Sequence, residues 1–284
     1  MRRTLGWVFV LPFVLMFAVF YLGPLLAGLG MSFTDMRSTD VADPLAVDPV
    51  GLDNYLRLAD DEAMRKAAVN TAIFVVAALP LTIGLGLLAA VALNSGIGRL
   101  PAAFFRLGYY LPHVTSIIGI AVAWKFLLEP DAGLVNTLLG GGPRWLQDTS
   151  TALPSIIVMT AWRSFGFDMV VFLAALQGIP RELYEAASVD GAGRWRRFRD
   201  ITVPQLRPVI LFCTVYSTTG FLQFLEEPLV MTGGGPLNST LSASLAIFKQ
   251  FGVGNYGYAS AAATVLFTVI VALAVLQLRI GRRR

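Results

Sequence analysis

The chain has one cysteine, one histidine and few charges. Asp, Glu, Lys and Arg make up 14% of its 284 residues, where a soluble domain carries about 25%. Cys213 cannot form an internal disulfide or a cysteine-rich metal cage, and a lone His113 removes any multi-histidine site. No P-loop GxxxxGK[ST] is present, so the sequence offers no phosphate-cradling loop of that kind. No GxSxG surrounds a membrane serine, as an intramembrane serine protease would require. Polar low-complexity tracts are missing, and 27 glycines and 15 prolines are diluted through apolar sequence, which excludes disorder and collagen. A formal charge of +4 is too small and too dispersed for a nucleic-acid partner.

What is there is apolar: 56% of the residues are hydrophobic, and the chain belongs in lipid. A bilayer core takes about 20 mostly apolar helical residues. Six stretches qualify: Trp7 to Ala27, Ala67 to Leu93, Leu107 to Trp124, Pro154 to Leu176, Pro208 to Leu225 and Tyr258 to Leu278. The first follows Arg2 and Arg3 but is too long for a signal-peptide core and lacks a clean small-residue cleavage site, so a retained helix is expected. The expected fold is all-α, a polytopic membrane protein of six transmembrane helices.

Six spans place both termini on one side, and the charges divide accordingly. One set of segments holds fourteen arginines, from Arg2 and Arg3 through Arg181, Arg194, Arg196, Arg197 and Arg199 to Arg282, Arg283 and Arg284, against Glu182, Glu185, Asp190 and Asp200. The other set carries 7 basic and 13 acidic residues, most of the acids falling between Asp35 and Glu62. The positive-inside rule puts both termini in the cytoplasm. One membrane domain, residues 1–284, is the simplest organisation, with 35–66 as an acidic extracytoplasmic cap containing Pro44 and Pro49 and having little core of its own.

The cytoplasmic loop after the fourth span, residues 178–207, reads as more than a connector. Pro180 can open a helix, Arg181 to Val189 propagate it, and Gly191 with Gly193 permits a sharp stop before a second short helix leading to Pro204. Ala186 and Ala187, flanked by Tyr184 and Val189, form a small flat face on which another protein can dock, with Glu185 for registration. An amphipathic loop whose Arg194, Arg196, Arg197 and Arg199 touch anionic lipid is the alternative.

The same residues resemble the EAA motif of ATP-binding-cassette importer permeases, written EAA, three residues, G, nine residues, I, one residue, L, P. Here it is Glu185, Ala186, Ala187, Gly191, Ile201, Val203 and Pro204, with Val203 in place of the usual Leu. The resemblance extends to ALQGIPRELYEAASVDGAGRWRRF from Ala175, MTGGGP at Met231 to Pro236 and NYGYASA at Asn255 to Ala261, as in the maltose and glycerol-3-phosphate permease branch. It implies the channel-forming half of a two-permease importer in the cell membrane. Its partners would be a second permease subunit, an ATPase subunit dimer that binds ATP and Mg, an extracytoplasmic solute-binding protein and a sugar substrate. The chain would need no cofactor of its own and would not be an enzyme. Glu185, Ala186, Ala187 and Gly191 would meet the ATPase.

Charges in the bilayer interior usually face a cavity or a partner, and only the fourth span carries them, Arg163 and Asp168. Their spacing of five does not set them neatly on one face. One reading lines the substrate path with them; the other has them neutralised structurally, for instance by Glu226 or Glu227. By resemblance to the maltose permease, Thr160, Arg163, Ser164, Phe167, Ser217, Phe221 and Phe224 fall on sugar-contacting positions. The fifth span is dense in Thr214, Tyr216, Ser217, Thr218, Thr219 and Gln223, of which Ser217 and Gln223 are expected to face a pore. Hydroxyls suit a sugar's polar edge and aromatics its apolar face, although Ser and Thr also pack helices together in membranes. His113 is expected to be a packed neutral residue. A polyol, glycerol phosphate or compatible solute stays open as substrate, as does an ion-coupled transporter, against which a single intramembrane Asp argues.

Overall fold

The computed structural model describes residues 2–42, 47–94 and 99–282. Asp43, Pro44, Arg283 and Arg284 therefore lie outside the described residues, as do the side chains of Arg2, Arg3, Arg99 and Arg282. The architecture is helical throughout; among the described residues the only β pairing is an isolated bridge between Thr34 and Pro49.

Two compact units are distinguished, one of Met1–Arg65 with Ala246–Val269, the other of Lys66–Leu245 with Ile270–Arg284. In the first, α1 (Arg2–Phe17) continues through a π-helical turn, Ala18–Leu22, into α2 (Gly23–Met31). The wide turn has a clear cause. Pro24 offers no N–H and its ring would crowd a carbonyl one turn back; instead Gly23 N–H reaches five residues back to Ala18 O. After α2 the acidic segment forms α3 (Asp53–Asp60). This segment is better ordered than a cap with little core. Asn54, 2% exposed, donates to Ser32 O at 3.0 Å and Thr34 O at 2.8 Å. Backbone N–H groups of Ser38 and Gly257 bond to Gly254 O and Met36 O, and Tyr258 donates its hydroxyl to Asp61 Oδ2 at 2.7 Å.

The second unit takes in α4 (Glu62–Asn94) from Lys66 onward, α5 (Arg99–Val114), α6 (Ile117–Leu127), α7 (Leu134–Leu139), α8 (Ala152–Gln177), α9 (Arg181–Val189), α10 (Arg194–Arg197), α11 (Val203–Leu222) and α12 (Glu226–Met231). The chain closes with α13 (Ala243–Gly252) and α14 (Tyr256–Arg282). Helix α8 is the central post: fourteen of its residues are buried, among them Ile156, Met159, Met169 and Phe172, and it packs against α5, α11 and α12. Around it lie two apolar clusters. One joins Phe74, Ile156, Met159, Phe221 and Phe224, the other Ala90, Met169, Phe172, Leu206 and Cys213.

Among the described residues four helices are long and apolar enough to cross a bilayer: Phe9–Met31, Glu62–Asn94, Ala152–Gln177 and Tyr256–Gly281. These match the first, second, fourth and sixth expected spans. The third, expected as one helix from Leu107 to Trp124, is instead two, Leu100–Val114 and Ile117–Leu127, meeting at 99°. Pro112 lies in the last turn before the break, and Ser116 adopts a non-helical backbone there. The fifth, α11, is 20 residues long and falls outside this apolar set, with Gln205 and Arg207 in its first turns and hydroxyls in its second half. Length and hydropathy thus support four spans, or five counting the bent pair.

The second helix of the cytoplasmic hairpin also differs from expectation, because it does not end at Pro204. Helix α10 runs through a second π-helical turn, Phe198–Thr202, directly into α11. Val203 N–H bonds to Phe198 O, again five residues back and again just before a proline. The same device lets both helices pass a proline without breaking.

Candidate functional site

A cavity of about 730 Å³ lies in the second unit, between α8 and α11 and closed at its sides by the α5–α6 break and α12. Its walls include Arg163, Ser164, Phe167 and Asp168 of α8, and Phe212, Tyr216, Ser217, Thr219, Gly220, Phe221 and Gln223 of α11, with Phe224 just beyond it. His113 and Ile117 enter from either side of the break, and Glu226 and Glu227 from α12. On α11 the repeating positions 212, 216, 219 and 223 follow the i, i+4, i+7, i+11 pattern of one helical face, so the sequence density of polar residues there does resolve into a wall. Gly220 makes no close helix contact; a Cβ there would meet nothing within 4 Å, and the glycine widens the cavity.

Seven of the eight residues expected along a substrate path therefore share one cavity. Thr160 is the exception. It is 1% exposed and sits behind the wall beside Glu227. Arg163 and Asp168, five residues apart, both reach the cavity. Among the described residues neither forms an ion pair; Arg196 and Arg199 pair with Asp200 elsewhere. Arg163 donates from Nη1 to the carbonyl of His113 at 3.4 Å, satisfying an acceptor that the end of α5 leaves without a helical partner. Asp168 is 1% exposed, with the Cys213 thiol, a weak donor, beside it.

The aromatics divide into two groups. Phe221 and Phe224 are 7% and 3% exposed and pack on Phe74, with ring centroids 5.8 and 3.8 Å away. They serve the core first and present only an edge to the cavity. Phe167 stands between His113, centroid distance 5.1 Å, and Tyr216 at 4.8 Å, and Tyr216 continues to Phe212 at 6.2 Å. This ladder of four rings is the flat surface of the site. Phe212, Tyr216 and His113 were not among the expected path residues; the four-residue interval from Phe212 to Tyr216 and the seven from Tyr216 to Gln223 are the signal that puts the two α11 rings on one face, whereas His113 comes from α5 and carries no such signal.

At the opposite end of α8, α9 forms the first arm of the hairpin. Glu185 and Ala186 are exposed, whereas Ala187 and Tyr184 are half-buried. The Tyr184 hydroxyl meets Thr202 Oγ1 at 2.9 Å and ties the two arms together. The free face is therefore Glu185, Ala186 and Val189, the last 89% exposed, with Ala187 turned partly toward its own chain. Gly191 stops the helix with φ +73°, as its position required, and Ala192 N–H closes back on Ala187 O at 2.8 Å.

Residues 82–284 match the family described as binding-protein-dependent transport system inner membrane component. The chain belongs to this family. As an inner membrane component it is a multi-pass membrane protein and a transporter subunit. The lactose transport system permease protein LacF of Rhizobium radiobacter is 37% identical over 289 residues, covering 98% of this chain and 94% of that protein. The trehalose/maltose transport system permease protein MalF of Thermococcus litoralis is 32% identical, covering 100% and 95%. Among solved structures, a bacterial alginate ABC transporter in complex with an alginate pentasaccharide-bound periplasmic protein superposes with a TM-score of 0.85 at 26% identity, covering 99% of this chain and 95% of its counterpart.

Proposed function

We propose that this inner membrane component is the channel-forming subunit of an ATP-binding-cassette importer for carbohydrate. It would work with a second permease, a dimer of ATPase subunits that hold ATP and Mg, and an extracytoplasmic solute-binding protein. In this reading the 1–284 chain is one membrane domain whose bent helix pair and α11 complete six spans. Both termini and the 178–207 hairpin face the cytoplasm, and the acidic 35–66 segment faces outward.

The observation that carries the substrate class is the cavity. A ladder of four rings stands next to Ser164, Ser217, Thr219 and Gln223, and that pairing of flat apolar surface with short hydrogen-bonding groups fits a sugar ring. The permeases that resemble this chain carry lactose and trehalose/maltose in their names, which supports the same class. Glu185, Ala186, Ala187 and Gly191 would form the surface that enters the ATPase. Closure of the ATPase dimer would then swing rigid helices and turn the cavity from one side of the membrane to the other.

The test is reconstitution of the chain with its second permease, ATPase and binding protein in vesicles, followed by uptake of labelled lactose, maltose and maltotriose. ATP-dependent accumulation of at least one, lost when the binding protein is omitted, is the expected result. Uptake driven by an ion gradient without ATP would overturn the reading.

A further inference from the structure

We propose that the cavity selects by charge, admitting an uncharged saccharide and rejecting an anionic one. The inference rests on the cavity being the substrate path. Three carboxylates line it, Asp168, Glu226 and Glu227, against one formal cation among the described lining residues, Arg163. Two of the three are more than nine-tenths buried: Asp168 is 1% and Glu227 4% exposed. Neither Asp168 oxygen nor Glu227 Oε2 has a hydrogen bond of acceptable geometry.

The arginine does not offset them for an incoming anion. Its Nη1 is engaged by the His113 carbonyl at 3.4 Å and its charge already acts on Glu227. The unpaired polar atoms around the cavity are three buried carboxylate oxygens, on Asp168 and Glu227, together with Thr160 Oγ1 behind the wall and the nitrogens Arg163 Nε and His113 Nδ1. A neutral sugar brings O–H groups that donate to the carboxylates and accept from the arginine at once. A carboxylated or phosphorylated solute puts an acceptor-only group where the neutral sugar has a hydroxyl. It leaves the buried carboxylate oxygens unpaired and adds like charge where the dielectric is low. The alginate transporter, whose structure this chain resembles, imports an acidic polysaccharide; the shared fold therefore does not dictate the same choice here.

Matched pairs that are open at the same end and differ by one carboxylate test this: lactitol with lactobionate, and maltitol with maltobionate. Binding of each is measured by calorimetry on the assembled permease and ATPase complex without the binding protein, so that the measured preference is the membrane complex's own. The neutral member of at least one pair is expected to bind about tenfold or more tightly than its acid. Glu227→Gln should shrink that ratio by improving the acid's binding, and Glu226→Gln, at an exposed position, should do the same if the buried variant fails to assemble. Equal or tighter binding of the acids by the parent would overturn charge selection while leaving the saccharide path standing. A ratio unchanged in an assembled variant would also overturn it. Binding of neither neutral sugar, nor of maltotriose, would sink the substrate-path reading and this inference with it.

Discussion

Gly166 on α8 lies against the carbonyl of Tyr109 on α5, so close that a β-carbon on the glycine would coincide with the tyrosine oxygen. The crossing of the central post over the first half of the bent pair therefore depends on a missing side chain. One turn of α8 separates this crossing from Arg163, and the arginine bonds to His113, one turn of α5 beyond Tyr109. The bend and the cavity wall are held by neighbouring contacts on the same two helices.

Gly166→Ala should accordingly cost about 1–3 kcal/mol, the range for forcing a methylene into a filled interior, because backbone on both sides cannot step aside. The expected result is reduced membrane abundance and a lower melting temperature of the purified complex. Gly220→Ala, where a β-carbon meets nothing within 4 Å, is the matched control and should leave both unchanged.

Arg163→Gln should preserve assembly while lowering transport by roughly tenfold or more, as expected when a charge-assisted hydrogen bond worth about 1.5–3 kcal/mol is lost. The alternative, a purely structural arginine neutralised by acids, predicts loss of abundance that Asp168→Asn or Glu226→Gln restores. Abundance and uptake measured together in the single and double variants decide between them.

Reversal of charge at Glu185, in Glu185→Lys, should leave the protein in the membrane and prevent ATPase capture, since the residue is exposed on the free face of α9. Gly191→Val should act on the same step by a different route. A β-branched residue held at φ +73° is strained by about 1–3 kcal/mol, which would unwind the hairpin's stop. Co-purification of the ATPase subunits is the readout, and undiminished recovery in both variants would remove the interface assignment.

Much of this was readable in advance. The first, second and sixth spans follow from long uncharged apolar runs, the fourth from one that stays apolar around Arg163 and Asp168, and Gly191 from the need for a positive φ at a helix stop. The 99° break was not, because His113, Val114, Thr115 and Ser116 pass for helix in a mostly apolar window and the bend is fixed by Arg163 and Gly166 on another helix. Pro204 reads as a stop because proline usually is one; the π-turn that carries the helix past it depends on a backbone register that composition does not encode. The hydrogen bond from Arg163 to the His113 carbonyl was not legible either, because the acceptor is freed by the break.

Cys213 is buried, which makes cysteine labelling clean for a test of orientation. Leu56→Cys and Val189→Cys replace side chains 63% and 89% exposed. With the proposed topology, an impermeant maleimide should modify the first in intact cells and the second only after permeabilisation. The reverse pattern would invert the orientation, and labelling of both from outside would mean an even number of crossings between them.

Asp61 gives a pH dependence outside the spans. Burial acts to raise its pKa, but the hydrogen bond from Tyr258 and those from the backbone of Met64 and Ala63 outweigh it and hold the carboxyl below its ordinary value. A lowered folded pKa means that the stabilisation is complete above the ordinary carboxylate value, about 3.9, and fades as pH falls below it. The difference in melting temperature between the parent and Asp61→Asn should therefore be constant from about pH 8 to 5 and shrink toward pH 3. A difference that grows on acidification would contradict the assignment.

The unbroken path from Arg194 through the π-turn to Leu222 makes the hairpin's second arm and the cavity wall a single shaft, on the order of 40 Å long at 1.5 Å per residue. Inside α11 one compliant section is at Pro208, which lacks the N–H of a helical hydrogen bond. The other compliant section is the five-residue π-turn, Phe198–Thr202, where the hydrogen-bond register already departs from that of an α-helix. Torque applied at the cytoplasmic end would rotate Tyr216 and Gln223 in step with Arg197, and slack in the linkage would come from relaxing that turn by one residue.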